Sequence, residues 1–127
     1  MNHLYNTFII IIILSINILG QTNNFKNDAI EAFKTGDYEK AIEILKQVEI
    51  KGTEDPEIYY LLGYYSHYLA YDSRPLVEYS EEYSNKVLQY LEKAIELNPN
   101  YGNAYYFIGA EYGARALNSL QIGNSEL

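Results

Sequence analysis

The chain has 127 residues, enough for one small domain, and it contains no cysteine, which excludes disulfides and thiolate metal sites. Its two histidines, His3 and His67, lie in different segments, so we do not expect a multi-histidine metal site. No cofactor is predicted. The formal net charge of −8 argues against nucleic acid as a partner, because binding phosphates requires clustered Lys and Arg.

The N-terminal segment contains an apolar run, Phe8–Leu19, which is shorter than the ~20 residues that a membrane-spanning helix needs. It matches the apolar core of a secretory signal peptide, with Gly20 immediately before the predicted cleavage point. Residues 1–20 are therefore predicted to be a signal peptide that directs export to the periplasm or cell envelope. The alternative is an uncleaved N-terminal anchor. A buried element of the fold is disfavoured, because Gln21–Asn24 has the character of a polar break.

If the signal peptide is removed, the mature chain has no predicted membrane contact. The residue usage, rich in Ile, Asn, Lys and Tyr, favours a bacterial source. The 17 acidic and 9 basic side chains favour a folded part that is soluble.

Apolar periodicity in the remaining chain predicts helices and no strand of useful length. The predicted helices span roughly 24–34, 38–50, 56–71, 77–97 and 101–118. Gly36 is expected to adopt the left-handed conformation that ends a helix, and Asp37 to cap the next one. Pro99 cannot continue a helix and is expected to stop the fourth.

Three stretches of the chain resemble one another, and each contains a small residue at a corresponding position. These small residues are Ala29, Gly63 and Gly109. The first two are 34 residues apart and the last two are 46 apart, so the second stretch carries about twelve additional residues. The additional residues fall between Tyr71 and Asn85. They are either a tolerated surface insertion or part of a binding surface.

The 34-residue spacing, the Gly36-Asp37-Tyr38 turn followed by Ala41, and the helix end Lys93–Pro99 together resemble the tetratricopeptide repeat (TPR) family. Each unit of that family is a helix A, a turn and a helix B. The resemblance implies an all-α fold, a right-handed stack of about two and a half helical hairpins over residues 21–118. Residues 119–127 would form a frayed tail.

The resemblance also implies a non-catalytic scaffold that binds a protein or peptide outside the cytoplasm. A third helix B is not evident after Ala114. Three alternatives follow: the sequence is a fragment of a larger repeat protein, the exposed last helix packs on a partner or on a second copy in a homo-oligomer, or the last helix caps the array.

In the family the inner surface is lined mainly by one face of each helix A. Carried over residue by residue, the predicted partner-binding groove consists of Tyr60, Tyr64, His67, Tyr68, Asn103 and Tyr106. Lys26, Ile30, Phe33, Lys34, Glu57 and Ala110 complete the implied lining. An aromatic groove of this kind would hold an extended peptide through ring contacts and hydroxyl hydrogen bonds. The alternative is that these tyrosines belong to the core.

Two narrower functions are disfavoured by the residues themselves. The Lys/Asn/Arg clamp with which some family members hold a C-terminal carboxylate is matched only at Lys26. The other clamp positions are Ile30, Leu61, Asn103 and Phe107. Catalysis is not expected, because no nucleophile, phosphate or dinucleotide motif occurs. Glu111 and Arg115 are interpreted as a pair that stabilises a helix surface.

Overall fold

The computed structural model describes residues 2–72 and 81–125, and in these ranges the chain forms five helices. They are α1 (Asn2–Lys34), α2 (Tyr38–Glu49), α3 (Pro56–Asp72), α4 (Glu81–Leu97) and α5 (Gly102–Ser125). No residue of the two described ranges is in a strand. The predicted all-α fold class is therefore confirmed.

The bounds of α2 and α3 lie within one residue of those predicted, but the two terminal helices are longer. The expected polar break at Gln21–Asn24 is absent, since α1 continues through it. Polar side chains alone do not end a helix, and Gln21–Asn24 contains neither a proline nor a residue with positive φ. At the other end α5 continues to Ser125, and residues 119–125 of the expected frayed tail are helical. Residues 77–80, where α4 was predicted to begin, lie outside the described ranges.

The turn between α1 and α2 is built as the sequence predicts. Gly36 has a φ of +82°, in the left-handed region, and its N–H donates to the carbonyl of Phe33 at 3.0 Å. The side chain of Asp37 accepts a hydrogen bond from the N–H of Lys40 at 3.2 Å, which caps α2. The predicted stop at Pro99 is also confirmed, because α4 ends at Leu97.

Each helix packs against the next one in the chain, and α3 also contacts α5. The centre of the core is made of fully buried side chains from α2, α3 and α4, with small residues at the edges. Its members include Ala29, Leu45, Ile58, Leu62, Tyr65, Val87, Leu91, Ala94 and Ala104. Burial of such side chains is the main stabilising term for a domain of this size.

Gly63 allows α3 and α4 to approach each other closely. A Cβ atom added at this position would lie 2.8 Å from two carbon atoms of the Leu91 side chain and 3.3 Å from the carbonyl oxygen of Val87. Its position in the sequence predicted this role. Ala29, the corresponding small residue of α1, is fully buried, whereas a Cβ added at Gly109 of α5 would meet no atom within 4 Å.

Candidate functional site: an aromatic surface on α3 and α5

The predicted groove tyrosines of α3 form a continuous row of rings along one side of the helix. The ring centroids of Tyr60 and Tyr64 lie 5.8 Å apart with the planes inclined by 16°, and Tyr64 meets Tyr68 edge-on at 4.9 Å. His67 approaches Tyr68 at 6.0 Å. The spacing of four residues places successive rings one helical turn apart, so the row follows from the sequence.

Phe107 connects this row to α5, the other helix that contributes residues to the predicted groove. The Phe107 ring lies 4.8 Å from Tyr64, 6.1 Å from Tyr60 and 5.8 Å from His67. Tyr106 packs edge-on against Phe107 at 5.2 Å. We call the residues Tyr60, Tyr64, His67, Tyr68, Tyr106 and Phe107 the tyrosine surface. It joins α3 and α5 into one face.

On the opposite side of the row, α1 contributes Phe33. Its ring stacks on Tyr65 at 4.2 Å and contacts Tyr64 at 5.2 Å and Tyr68 at 5.4 Å. Tyr65 is only 2% exposed, so this side of the row is anchored in the core. The rings therefore belong partly to the packing between α1, α3 and α5 and partly to the surface.

Exposure differs among the predicted groove residues. Tyr106 is 71% exposed and Tyr68 is 37% exposed, while Tyr60, Tyr64 and His67 are partly buried. Asn103 is exposed in the first turn of α5, one turn before Tyr106 and Phe107. The structure thus brings five of the six predicted residues together through direct ring contacts, and Asn103 lies at the edge of this face.

The phenols of Tyr60 and Tyr64 remain neutral beyond the pH at which a free phenol ionises. Burial, supported by a hydrogen bond with Tyr68, raises the pKa of Tyr64 to about 12. Burial also raises the pKa of Tyr60, with a further contribution from Tyr68. Neutral phenols both donate and accept hydrogen bonds, so the surface offers apolar ring faces together with uncharged hydroxyl groups.

Lys26, the one residue that matched the carboxylate clamp, is occupied within the fold. Its Nζ atom donates to Glu57 Oε2 at 2.7 Å and to Asp55 Oδ2 at 3.0 Å, and its side chain is 16% exposed. Burial acts to lower the pKa of Lys26, but the hydrogen bonds and the charges of Glu57 and Asp55 outweigh it and raise the pKa. This ammonium group fastens α1 to the start of α3.

Behind the tyrosine surface lies a buried carboxylate that the sequence did not reveal. Glu111 of α5 is 0% exposed, and its Oε2 lies 2.8 Å from Nδ1 of His67. Its Oε1 accepts hydrogen bonds from the hydroxyl groups of Ser84 and of Tyr71, the latter at 3.3 Å. The interpretation of Glu111 and Arg115 as a surface pair was wrong, because Glu111 faces α3 and α4. The helical register places it opposite polar groups that satisfy a buried charge.

Arg115 completes this polar cluster from the same helix. Its Nε lies 3.9 Å from Glu111 Oε1 and donates to Ser84 Oγ, and its terminal nitrogen donates to Asn85 Oδ1 at 2.8 Å. A buried carboxylate without an opposite charge is strongly destabilising. The cluster therefore links α3, α4 and α5 through polar bonds.

The cluster contains a serine, a histidine and an acid, but not in the order that a nucleophilic relay requires. In such a relay the serine donates to the imidazole and the imidazole donates to the acid. Here Ser84 donates to one carboxylate oxygen and His67 bonds to the other. Ser84 is 0% exposed and bonded to the carboxylate, so this geometry does not activate it as a nucleophile.

The first half of α1 is apolar and projects away from the core. Its large side chains from Leu4 to Leu14 are each at least half exposed. Among the described residues, His3–Lys34 is the one helix that is long and apolar enough to cross a membrane. A signal sequence near the N-terminus has the same properties, so this helix is compatible with either a signal peptide or an anchor.

A cavity of about 680 Å³ lies between α1 and the loop that joins α2 to α3. It is lined in part by Gln21–Asn23, Phe25 and Lys51, and the Lys51 ammonium sits over the Phe25 ring at 5.1 Å. None of the predicted groove residues lines this cavity.

Comparison with known proteins adds no relative. No family model matches the chain. No curated protein matches it either. The functional interpretation therefore rests on the geometry of this chain alone.

Proposed function

We propose that the chain is a non-catalytic scaffold that binds an extended peptide or protein segment across the tyrosine surface. The observation that carries the proposal is the contact of Phe107 with Tyr60, Tyr64 and His67, which joins two helices into one aromatic face. Aromatic rings with polar tips are the side chains most enriched where proteins bind partners. The partner we infer presents apolar side chains to the rings and backbone groups to the hydroxyls.

The same proposal includes a stack of TPR-like hairpins as the framework. Support comes from the internal spacing of 34 residues between Ala29 and Gly63 and from the helix–turn–helix geometry at Gly36. It also comes from the order of contacts, in which each helix packs on its neighbour and α3 touches α5. In such a stack the first helix of each hairpin lines one common face.

We also propose that the chain acts outside the cytoplasm. The exposed apolar half of α1 supports export, either with cleavage after Gly20 or with retention as an anchor. Mass spectrometry of the N-terminus from expressing cells distinguishes the two. A chain that starts at Gln21 indicates secretion, and an intact N-terminus in the membrane fraction indicates an anchor.

The binding proposal is tested with a random peptide library displayed on phage and the full chain held in detergent micelles. Peptides enriched by the wild type are synthesised, and their affinities are measured by fluorescence anisotropy. We expect the double variant Tyr60→Ala/Tyr64→Ala to lose at least tenfold in affinity, because two adjacent ring contacts disappear. The variant Tyr60→Phe/Tyr64→Phe keeps the rings and reports the contribution of the hydroxyls.

Ile50→Ala is the control, because Ile50 is an 84% exposed apolar residue at the end of α2, outside both the tyrosine surface and α5. It should bind the selected peptides as the wild type does. Circular dichroism must show that all variants are folded. Equal affinity of the double alanine variant and the wild type would eliminate the tyrosine surface as the binding site.

A further inference from the structure

Positions of α3 and α5 that differ by 46 correspond to each other. A tyrosine hydrogen bond that occurs at the start of both helices defines this correspondence. The Tyr59 hydroxyl donates to the carbonyl oxygen of Thr53 at 3.2 Å, and the Tyr105 hydroxyl donates to that of Pro99 at 3.2 Å. Each tyrosine thus bonds the residue six positions before it. The preceding residues of the two helices, Ile58 and Ala104, are both 0% exposed. Matching positions of the two helices can therefore be compared one by one.

In α3 one side of the helix is covered. Tyr59 is 9% exposed, Ser66 is 4% exposed and Ala70 is 8% exposed. Between them, Gly63 lies directly beneath the Leu91 side chain of α4. These positions recur at steps of four, three and four residues, so they form one face of the helix. At its centre, around Gly63, this face receives α4.

The matching face of α5 is open. Tyr105 is 52% exposed and Tyr112 is 54% exposed, and Ala116 is exposed as well. Gly109 meets no atom within 4 Å at the position of a Cβ, although its counterpart Gly63 is tightly covered. One turn further, Leu117 and Leu120 are 66% and 64% exposed. On α3 this face is covered by α4. On α5 no helix among the described residues covers the corresponding face.

The distribution of charged side chains indicates which kind of partner could cover this face of α5. Between Gly102 and Leu120, α5 carries only two charged side chains, the buried Glu111 and Arg115, which lies against the same cluster. The outer faces of α2 and α4 carry exposed acids, among them Glu43 and Glu92. Two copies of a chain with a net charge of −8 repel each other at such faces. Outside the apolar half of α1, the α5 face is therefore a surface at which two copies can approach with little electrostatic repulsion.

We propose that the occupant is α5 of a second copy, paired antiparallel across a two-fold axis near Gly113. In that arrangement Leu117 of one copy lies over Gly109 of the other, as Leu91 lies over Gly63 within the chain. The same face serves both copies, which is the rule for a two-fold interface. The absence of side chains at Gly109 and Gly113 permits close approach of the two backbones. Glycine weakens a helix, and no contact within the described chain requires it at these two positions.

The absence of cysteine in the chain makes cross-linking a clean test. The full chain carrying Gly113→Cys is purified in detergent micelles and oxidised. We expect most of it to form a disulfide-linked dimer, because residues close to a two-fold axis meet their own copies. Gln47→Cys, at an exposed position of α2, is the control and should cross-link only at the background level. Equal cross-linking of the two variants contradicts the proposal.

A second measurement separates pairing through α5 from association through the apolar half of α1. Analytical ultracentrifugation of Leu117→Glu should show loss of the wild-type dimer, because each new carboxylate would be buried against Gly109 of the other copy without an opposite charge. Ile50→Glu, at an 84% exposed residue after α2, should leave the dimer intact. A wild type that is monomeric at all concentrations overturns the proposal, and so does a dimer that Leu117→Glu leaves unchanged. Circular dichroism verifies that both variants keep their helices.

Discussion

The imidazole of His67 and the carboxylate of Glu111 lie 2.8 Å apart, and this bond joins the tyrosine surface to the interior of the molecule. The other side of the same imidazole ring packs among aromatic rings, with Phe107 at 5.8 Å and Tyr71 at 4.6 Å. A ring held from two directions in this way has a fixed orientation. The position of α5 relative to α3 therefore depends on a polar contact and an aromatic contact at one residue.

Replacing the buried acid tests the first of these contacts. We expect Glu111→Gln to lower the free energy of unfolding by about 3 kcal/mol, because Arg115 would lose the opposite charge near it. Glu92→Gln, at an exposed position of α4, should change the stability very little. Chemical unfolding followed by circular dichroism measures both. A Glu111→Gln variant as stable as the wild type would contradict a stabilising role for this carboxylate.

Two glycines at equivalent positions should respond in opposite directions to the same change. We expect Gly63→Ala to destabilise the fold by about 1–3 kcal/mol, because the new methyl group would lie 2.8 Å from the Leu91 side chain. Gly109→Ala has open space and should stabilise α5 by up to ~1 kcal/mol in the monomer. Thermal unfolding of the two variants side by side gives the comparison. Equal shifts of the same sign would mean that α4 does not cover α3 as described.

The buried tyrosines predict a loss of stability at alkaline pH. Burial raises the pKa of Tyr65 and of Tyr90 from 10.0 to about 12. The folded state therefore favours the neutral phenols, and the stability that they contribute below about pH 10 is lost as the pH rises towards 12. We expect helicity to fall in this interval together with the rise of tyrosinate absorbance. Tyr65→Phe should move the midpoint to higher pH, and an unchanged midpoint in this variant would contradict the prediction.

The ion pairs of Lys26 should matter for the fold and not for recognition of a carboxylate. We expect Lys26→Met to lower the free energy of unfolding by about 1 kcal/mol, since Glu57 and Asp55 would lose their shared cation. Lys40→Met, at an exposed position of α2, should have little effect. Peptides with a free or an amidated C-terminus should bind the Lys26→Met variant and the wild type with the same ratio of affinities. If the wild type prefers the free carboxylate and the variant does not, Lys26 recognises the C-terminus of the peptide and the prediction is wrong.

Much of the fold could be predicted from the sequence because its signals are local. The turn at Gly36 and Asp37, the stop at Pro99 and the close approach at Gly63 each depend on a residue with one dominant backbone property. The continuity of α1 through Gln21–Asn24 was missed, because polarity was read as a break although no proline is present.

The row of tyrosines on α3 was predicted from its helical spacing, whereas the residue that connects it to α5 was not. Phe107 was considered only as a missing clamp residue, and its contact with Tyr64 depends on how α5 crosses α3. The burial of Glu111 depends on the same crossing. It could not be read from the sequence, because a glutamate followed four residues later by Arg115 is equally typical of a solvent-exposed pair. Contacts between helices distant in sequence leave little trace in the local pattern of either one.

Because α1 is continuous through Gly20, cleavage after this residue would do more than remove the apolar segment. Cutting a continuous helix creates a new helix terminus, and the N–H groups of Gln21 and the three residues after it would lose their carbonyl partners. These donors, with the positive end of the helix dipole, would appear beside the cavity that Gln21–Asn23 line. Processing would thus place four backbone donors at the edge of this cavity.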